Sequence, residues 1–477
     1  MASVVWLDHT GGLVHETGLV VIRVGGAGSA VVIGASLAGL FSAVALAGHG
    51  YEVTILERDR LPVHPEARKG VPQSAQPHVL LHRGMLAAES LLPGLRDDLL
   101  AAGATCFDGG AMPWLGEYGW LDTTIGGYPV VSLTRPLLEH RVRRQVVNGG
   151  RVGIVERVDV RGLRRTGQGW MVRTATEELP ADLVVDASGR NSRLPHWLSE
   201  LGLAAPEPEV VDAHLGYACR LYRAPRPLPL DVGIVIVATP DSPFGGLALP
   251  VEHGQWIVMA GGLGDHRPGR DPDGFRRFFS LLRDRALVEL VDLLEPVDEV
   301  RIHRQTQNRR YRYEAVADWP DGLLAVGDSL AAFNPIYGQG ITVAACQAQT
   351  LDRSLSQGLN AGRRLQRRLA ADADRAWTLA TAADLRQTSS DQDPSPVDRA
   401  VDRWVQHLAW LMARGDLAAT VAFRQVYNLL APPQILFSPL LVATAVRSRL
   451  QPSPPVPRPA ALEALTAQHR RRYGVAA

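Results

Sequence analysis

Residues 31–40 read V-V-I-G-A-S-L-A-G-L, a glycine turn set where a buried strand gives way to a helix. Val31, Val32 and Ile33 form an unbroken apolar run, the mark of a parallel strand covered on both faces. Residues 37–49 then place small and apolar side chains at helical spacing. Gly50 stops that helix, and residues 51–56 alternate as a second strand. Strand, helix and parallel strand joined this closely restrict the chain to an α/β fold of the Rossmann-like, dinucleotide-binding kind. Gly34 allows the tight turn, and Gly39 lets the helix sit close on the strand. The helix start, at Leu37, has N–H groups without partners and about half a positive charge, which suits a diphosphate. Ser36 stands where the middle glycine of Gly-x-Gly-x-x-Gly is usual; its hydroxyl can donate to phosphate at a slightly longer approach. Glu57 ends the second strand, where a carboxylate accepts hydrogen bonds from ribose hydroxyls and disfavours a 2′-phosphate.

A second glycine-rich segment narrows the choice of nucleotide. Residues 322–340 read G-L-L-A-V-G-D-S-L-A-A-F-N-P-I-Y-G-Q-G. A strand over residues 323–326 runs into Gly327 and Asp328, and Asp328 can accept from ribitol hydroxyls, which NAD does not have. Pro335, followed by Gly338, Gln339 and Gly340, opens a helix over residues 341–355. Its N–H groups can face an electron-rich ring edge and stabilise a reduced, anionic flavin. FAD is therefore expected ahead of NAD or NADP.

Composition adds exclusions. A net charge of +1 gives no field favouring nucleic acid. Of 50 basic residues only Lys69 is a lysine, so chemistry that needs a neutral amine has one candidate. Cys106, Cys219 and Cys346 are far apart in sequence, so neither a metal site nor a dithiol pair is expected, and a reducing, cytoplasmic setting fits. The N-terminus lacks the basic start and long apolar run of a signal peptide. Residues 426–446 are free of charge over about the length of a bilayer crossing. Pro432, Pro433 and Pro439 interrupt them, and the reading is helices buried at a domain seam rather than membrane contact.

The chain divides, on its patterns, into an extension over residues 1–27 and an FAD-binding domain from residues 28–105, 130–195 and 300–358. A mixed-sheet substrate domain is inserted from residues 106–129 and 196–299. A helical C-terminal region follows over residues 359–455, then a proline-rich linker and basic tail over residues 456–477. Residues 136–147 and 275–294 read as helices. Residues 152–158, 170–174 and 183–185 read as strands. A polar break falls at residues 389–396. Residues 233–238, 245–250 and 256–263 fit either an apolar substrate wall or plain sheet core.

Several ordered segments resemble one family. They are R-K-G-V-P-Q-S-A-Q-P-H-V-L-L (residues 68–81), S-L-T-R-P-L-L-E (132–139), D-A-S-G-R-N-S-R (186–193), H-L-G-Y-A (214–218) and the Gly-Asp segment. With the first glycine turn they span residues 30–350, and the chain resembles FAD-dependent monooxygenases of the para-hydroxybenzoate hydroxylase-like fold. More closely it looks like the polyether-type polyene epoxidase subgroup. The resemblance implies FAD binding by Gly34, Ser36, Leu37, Gly39, Glu57, Arg58, Arg68, Lys69, Arg135, Asp328, Pro335, Gly338, Gln339 and Gly340. It sets residues 68–73 along the flavin, and makes His78, Pro335 and Tyr337 flavin-proximal candidates without naming a catalytic residue.

What the family does is then the expected activity. One atom of O₂ would pass, through a flavin C4a-hydroperoxide, into an apolar natural-product intermediate, a polyene or an aromatic, by epoxidation or hydroxylation in antibiotic or other secondary metabolism. Where the family has an aspartate that helps bind FAD and the nicotinamide donor, this chain has Ser188. Electrons would come from NAD(P)H directly or as reduced flavin from a separate reductase. Alkene reduction and a non-redox cyclase are the alternatives on the same fold. Halogenation is disfavoured, because no Trp-x-Trp occurs.

Overall fold

The computed structural model describes residues 3–7, 13–17, 28–68, 70–387, 395–451 and 453–474. Its central sheet has five parallel strands in the order Val152–Glu156, Tyr51–Glu57, Gly28–Ile33, Leu183–Asp186, Leu323–Ala325. Val32 pairs with Ile55 on one side and Val185 on the other, and all three are fully buried. Both faces of the parallel strands are covered, one by helices and the other by the three-stranded antiparallel sheet Gly162–Thr166, Gly169–Arg173, Glu178–Ala181 together with helical residues. On one face the helices Leu37–Gly48 and Gly340–Ser356 lie against each other, with Leu40, Phe41, Ala345 and Ala348 in a shared core. On the other, Trp170, Trp197, Tyr313 and Ala373 pack beneath the strands. The expected Rossmann-like α/β core is present.

Residues 1–27, read as a loose extension, are in part ordered into that sheet. Ser3–Leu7 pairs antiparallel with Leu13–Thr17 and with Val152–Glu156, so a hairpin closes one edge. Two five-residue strands are too short to stand out as a period in sequence.

A second sheet lies beside the first. Leu215–Arg223, Gln255–Leu263, Phe244–Pro250 and Ile234–Ile236 run antiparallel in that order, and Trp114–Leu115 joins the last strand in parallel. Alternation sends Ala218, Trp256, Val258, Ala260, Ile234 and Ile236 to one face, where they meet Phe275, Phe279, Leu287 and Leu290. The other face presents Tyr217, Cys219, Met259 and Leu247. The apolar segments are thus core on one side and open to a different role on the other.

Three expectations need correction. Residues 275–294 form two helices, Pro272–Phe278 and Ala286–Leu293. Asp271 caps the first by accepting from the Gly274 N–H, and Asp284 accepts from the Ala286 N–H at the start of the second. The basic tail is a helix, Ala460–Tyr473, whose Leu462 and Leu465 are fully buried in the core of the second sheet. Finally, residues 426–446 are not buried throughout. They run from the end of Leu417–Tyr427 into Pro439–Leu450, and Leu430, Phe437, Leu440, Val442 and Val446 are exposed. A proline-broken segment laid over an already closed core has only one side to bury. The polar break lies almost wholly outside the described residues, at 388–394.

Candidate functional site

The glycine turn sits at the C-terminal edge of the parallel strands. Gly34 takes φ +101°, and a Cβ there would lie 2.7 Å from the Ala187 carbonyl oxygen. Ser36 is the N-cap of Leu37–Gly48 with extended backbone, and its side chain makes no cap hydrogen bond. Gln339 likewise precedes Gly340–Ser356 without a side-chain cap. Both helix starts therefore keep their free N–H groups, and both open into one cavity of about 220 Å³ that reaches an open mouth. Buried helix ends that lack side-chain caps await a ligand's acceptors.

The cavity wall brings most of the sequence-predicted residues together. Glu57 and Arg58 line it with Val158, Asp159 and Trp197, as do Gly34, Ser36 and Leu37, Arg68 and Arg135, and Asp328, Pro335, Gly338 and Gly340 with His78 and His303. Gly39 is beneath the turn, where a Cβ would collide with the Gly34 carbonyl. Gln339 is buried behind the wall, and its Oε1 has no hydrogen-bond partner. Lys69 lies outside the described residues.

At the Glu57 end the carboxylate accepts from the Ala35 N–H at 2.8 Å and the Asp59 N–H at 2.9 Å. Arg68 Nη1 stands 3.2 Å from Glu57 and from Asp59, and its Nε donates to Glu139 at 3.1 Å. Arg135 Nε donates to Glu139 at 2.8 Å. Burial alone would lower the Arg68 pKa; Glu139 and Glu57 outweigh it and hold the guanidinium above its ordinary value. Burial would raise Glu139; Arg135 and Arg68 reverse that and keep it ionised. The segment 68–73 was expected along the ring, yet Arg68 points to the Glu57 end because three carboxylates converge there. Glu139 was missed, although its i,i+4 spacing from Arg135 was visible.

His78 also lines the cavity, and its Nδ1 donates to the Gln76 carbonyl at 2.7 Å, which fixes the tautomer. Burial, with help from Arg135, pushes its pKa down to about 3, so the ring is neutral at ordinary pH. His303 lines the cavity and stacks on Tyr217 with ring centroids 5.2 Å apart. Gly261, on the same face of the second sheet as Tyr217, would place a Cβ 4.0 Å from Ile336 Cδ1. That face thus borders the cavity wall at His303 and lies beside the turn Pro335–Tyr337.

Tyr337 does not face the cavity. Its hydroxyl donates to Asp384 at 2.5 Å, and the same carboxylate accepts from Asn308 at 2.6 Å and Asn334 at 3.2 Å. This buried hub holds the turn Pro335–Tyr337 in place, and the tyrosine serves the turn rather than the ring. Ser188, at the departure from the family pattern, donates its hydroxyl to Asp186 at 2.5 Å. Ser192 occupies the other oxygen of that buried carboxylate at 2.5 Å. Nothing in sequence marked His303 or Asp384, since neither lies in a spaced motif. Among the described residues no His, Cys, Asp and Glu group could hold a metal ion.

The profile of the family described as FAD binding domain matches residues 28–383. Protein Rv3254 of Mycobacterium tuberculosis is 32% identical over 392 residues, which cover 77% of this chain and 82% of that protein. A flavoprotein/dehydrogenase from Cytophaga hutchinsonii superposes with a TM-score of 0.64 at 15% identity, over 88% of this chain and 99% of its own. The anhydrotetracycline hydroxylase OxyS from Streptomyces rimosus superposes with 0.56 at 16% identity, over 84% and 76%. At such identities the two structures speak for the fold alone, that of para-hydroxybenzoate hydroxylase-like flavoproteins. With two uncapped helix starts facing one elongated cavity and the family profile spanning most of the sequence, the chain belongs to the FAD binding domain family and is a flavin-dependent enzyme.

Proposed function

We propose that this enzyme is a monooxygenase that places one oxygen atom from O₂ on an apolar small molecule, by epoxidation or hydroxylation, within a natural-product pathway. The observation behind this reading is the meeting of the Pro335–Gly340 end of the cavity with an apolar sheet face. Tyr217, Met259, Leu247 and Gly261 form that face.

The residues present fit FAD. Glu57 would take the ribose hydroxyls, the free N–H groups at the start of Leu37–Gly48 the diphosphate, and Asp328 the ribitol. The start of Gly340–Ser356 would serve the flavin ring. Bound FAD supplies the redox and oxygen chemistry, which side chains do not. The chain's part is to orient and to exclude water. The uncharged sheet face suits an alkene or aromatic ring and would help keep water from the reacting centre, with the buried Tyr217 hydroxyl, which has no hydrogen-bond partner, as its one polar group among the residues named. His78, held neutral, can accept a hydrogen bond at Nε2 but does not donate a proton near pH 7. The resemblance of the motif segments to the polyether-type polyene epoxidases favours an extended substrate.

Turnover of a candidate polyene or polycyclic aromatic under isotopically heavy O₂ tests the reading. One labelled oxygen atom in the product is expected. An unlabelled product two hydrogens heavier would mean alkene reduction, and anaerobic turnover with oxidised flavin would mean cyclisation; either overturns it.

A further inference from the structure

The helix Pro439–Leu450 is built inside out for a surface helix of a water-soluble body. Leu441 and Ala445, four residues apart, form its buried stripe and reach the small core around Leu408, Leu411 and Ala422. Val442, Val446 and Leu450, also at four-residue spacing, form a second apolar stripe that faces outward. They are 47%, 58% and 80% exposed, Leu440 at the helix start is 66% exposed, and Phe437 just before it is 49% exposed. Single exposed apolar side chains are ordinary, but five within fourteen residues on one short segment are not.

The charge along this stretch of sequence is one-sided. Between Asp416 and Glu463 the sequence has no acidic residue. Of the arginines in that stretch, Arg424 is spent on the carbonyls of Gly110 and Asp122, and Arg458 on Asp284. Arg447 is exposed beside Val446 and has no ion pair among the described residues, and Arg449 follows two positions on in sequence.

We propose that this segment, Phe437 with the outward stripe of Pro439–Leu450, is an interfacial surface that seats the enzyme on an anionic lipid bilayer. An apolar stripe whose own stretch of sequence carries arginine and no carboxylate matches the acyl boundary beneath negatively charged headgroups. Leucine, valine and phenylalanine enter the boundary, and Arg447 reaches sideways to phosphate. The helix has 12 residues and spans about 18 Å at 1.5 Å per residue, short of the ~30 Å bilayer core. It therefore lies in the surface and does not cross. No helix among the described residues is long and apolar enough to cross a membrane. A second copy of this chain is the poorer complement, because it would bring an equally cationic border against this one. The inference stands on the exterior of the C-terminal region and is independent of the proposed reaction.

Co-sedimentation of the FAD-loaded full chain with vesicles tests it. The two compositions are phosphatidylcholine alone and phosphatidylcholine mixed with phosphatidylglycerol. The enzyme should pellet with the mixed vesicles, and several-fold less with the neutral ones. Val446→Asp combined with Leu450→Asp should weaken binding by about tenfold or more while the flavin absorbance and melting temperature stay the same. Arg447→Glu should remove the preference for the anionic vesicles. The proposal is overturned if the enzyme stays in solution with both compositions, or if the double variant pellets as the parent does. A dimer in light scattering that the double variant converts to a monomer would assign the stripe to self-association and overturn it as well.

Discussion

Asp384 accepts hydrogen bonds from Asn308, Asn334 and Tyr337 at once, and all of this happens behind the turn that ends the cavity. Asp384→Ala leaves three buried donors without an acceptor. The expected loss is about 3 kcal/mol of stability with weaker retention of FAD, and Asp384→Asn, which keeps one acceptor oxygen, should recover part of both. Melting of the loaded enzyme and a flavin-fluorescence titration measure the two effects; an unchanged melt would show that the hub does not hold the turn. His78 gives a prediction in pH. Its folded pKa is about 3, below the ~6.5 of an unfolded histidine. Between those values the unfolded chain binds a proton that the folded chain does not, so stability falls as pH falls from 6.5 toward 3. His78→Asn removes this contribution. Urea unfolding should show the variant losing about 2 kcal/mol less than the parent between pH 7 and pH 5; parallel losses would contradict the assignment. The placing of Gly34, Glu57 and Asp328 on one cavity wall was legible in sequence because it rests on backbone geometry at strand ends. The bond of Tyr337 to Asp384 was not, because which way a turn's side chain points is decided by a partner 47 residues away.

At the scale of elements, the strand–helix–strand unit and the helix after the second glycine segment were readable, since each has a strong local period. The helix Ala460–Tyr473 was not. Its RRR end and the prolines before it suggested a tail, and only the buried pair Leu462 and Leu465 gives it a place. Its His469 also meets Asp292 at 3.0 Å, on the helix Ala286–Leu293. The helix is thus part of the second sheet's core. Leu465→Ala should cost about 2–4 kcal/mol in chemical denaturation, and the flavin spectrum should be unaltered because the residue is not in the cavity wall. A loss below ~1 kcal/mol would place the helix outside the cooperative core. The outward stripe on Pro439–Leu450 was hidden for the opposite reason: an apolar run does not say which of its sides the fold will use.

At the scale of the whole molecule, the second sheet borders the cavity wall at His303. Ser188, elsewhere on that wall, bears on the supply of electrons. Its hydroxyl is tied to Asp186, and no carboxylate replaces the family's aspartate at that point of the wall. Reduced flavin delivered by a reductase should therefore support turnover at least about tenfold faster than NADPH or NADH added alone. Paired oxygen-consumption assays decide this, and equal rates would show direct use of the nicotinamide. The last consequence concerns synthesis. Helix Ala460–Tyr473 completes a core whose strands, Leu215–Arg223 onward, leave the ribosome some two hundred residues sooner. Nascent chains must hold that half-built layer open, with Leu287 and Leu290 short of their final neighbours, until translation has passed the far end of the message segment encoding the clasp. Chaperone demand during expression should be concentrated in that interval.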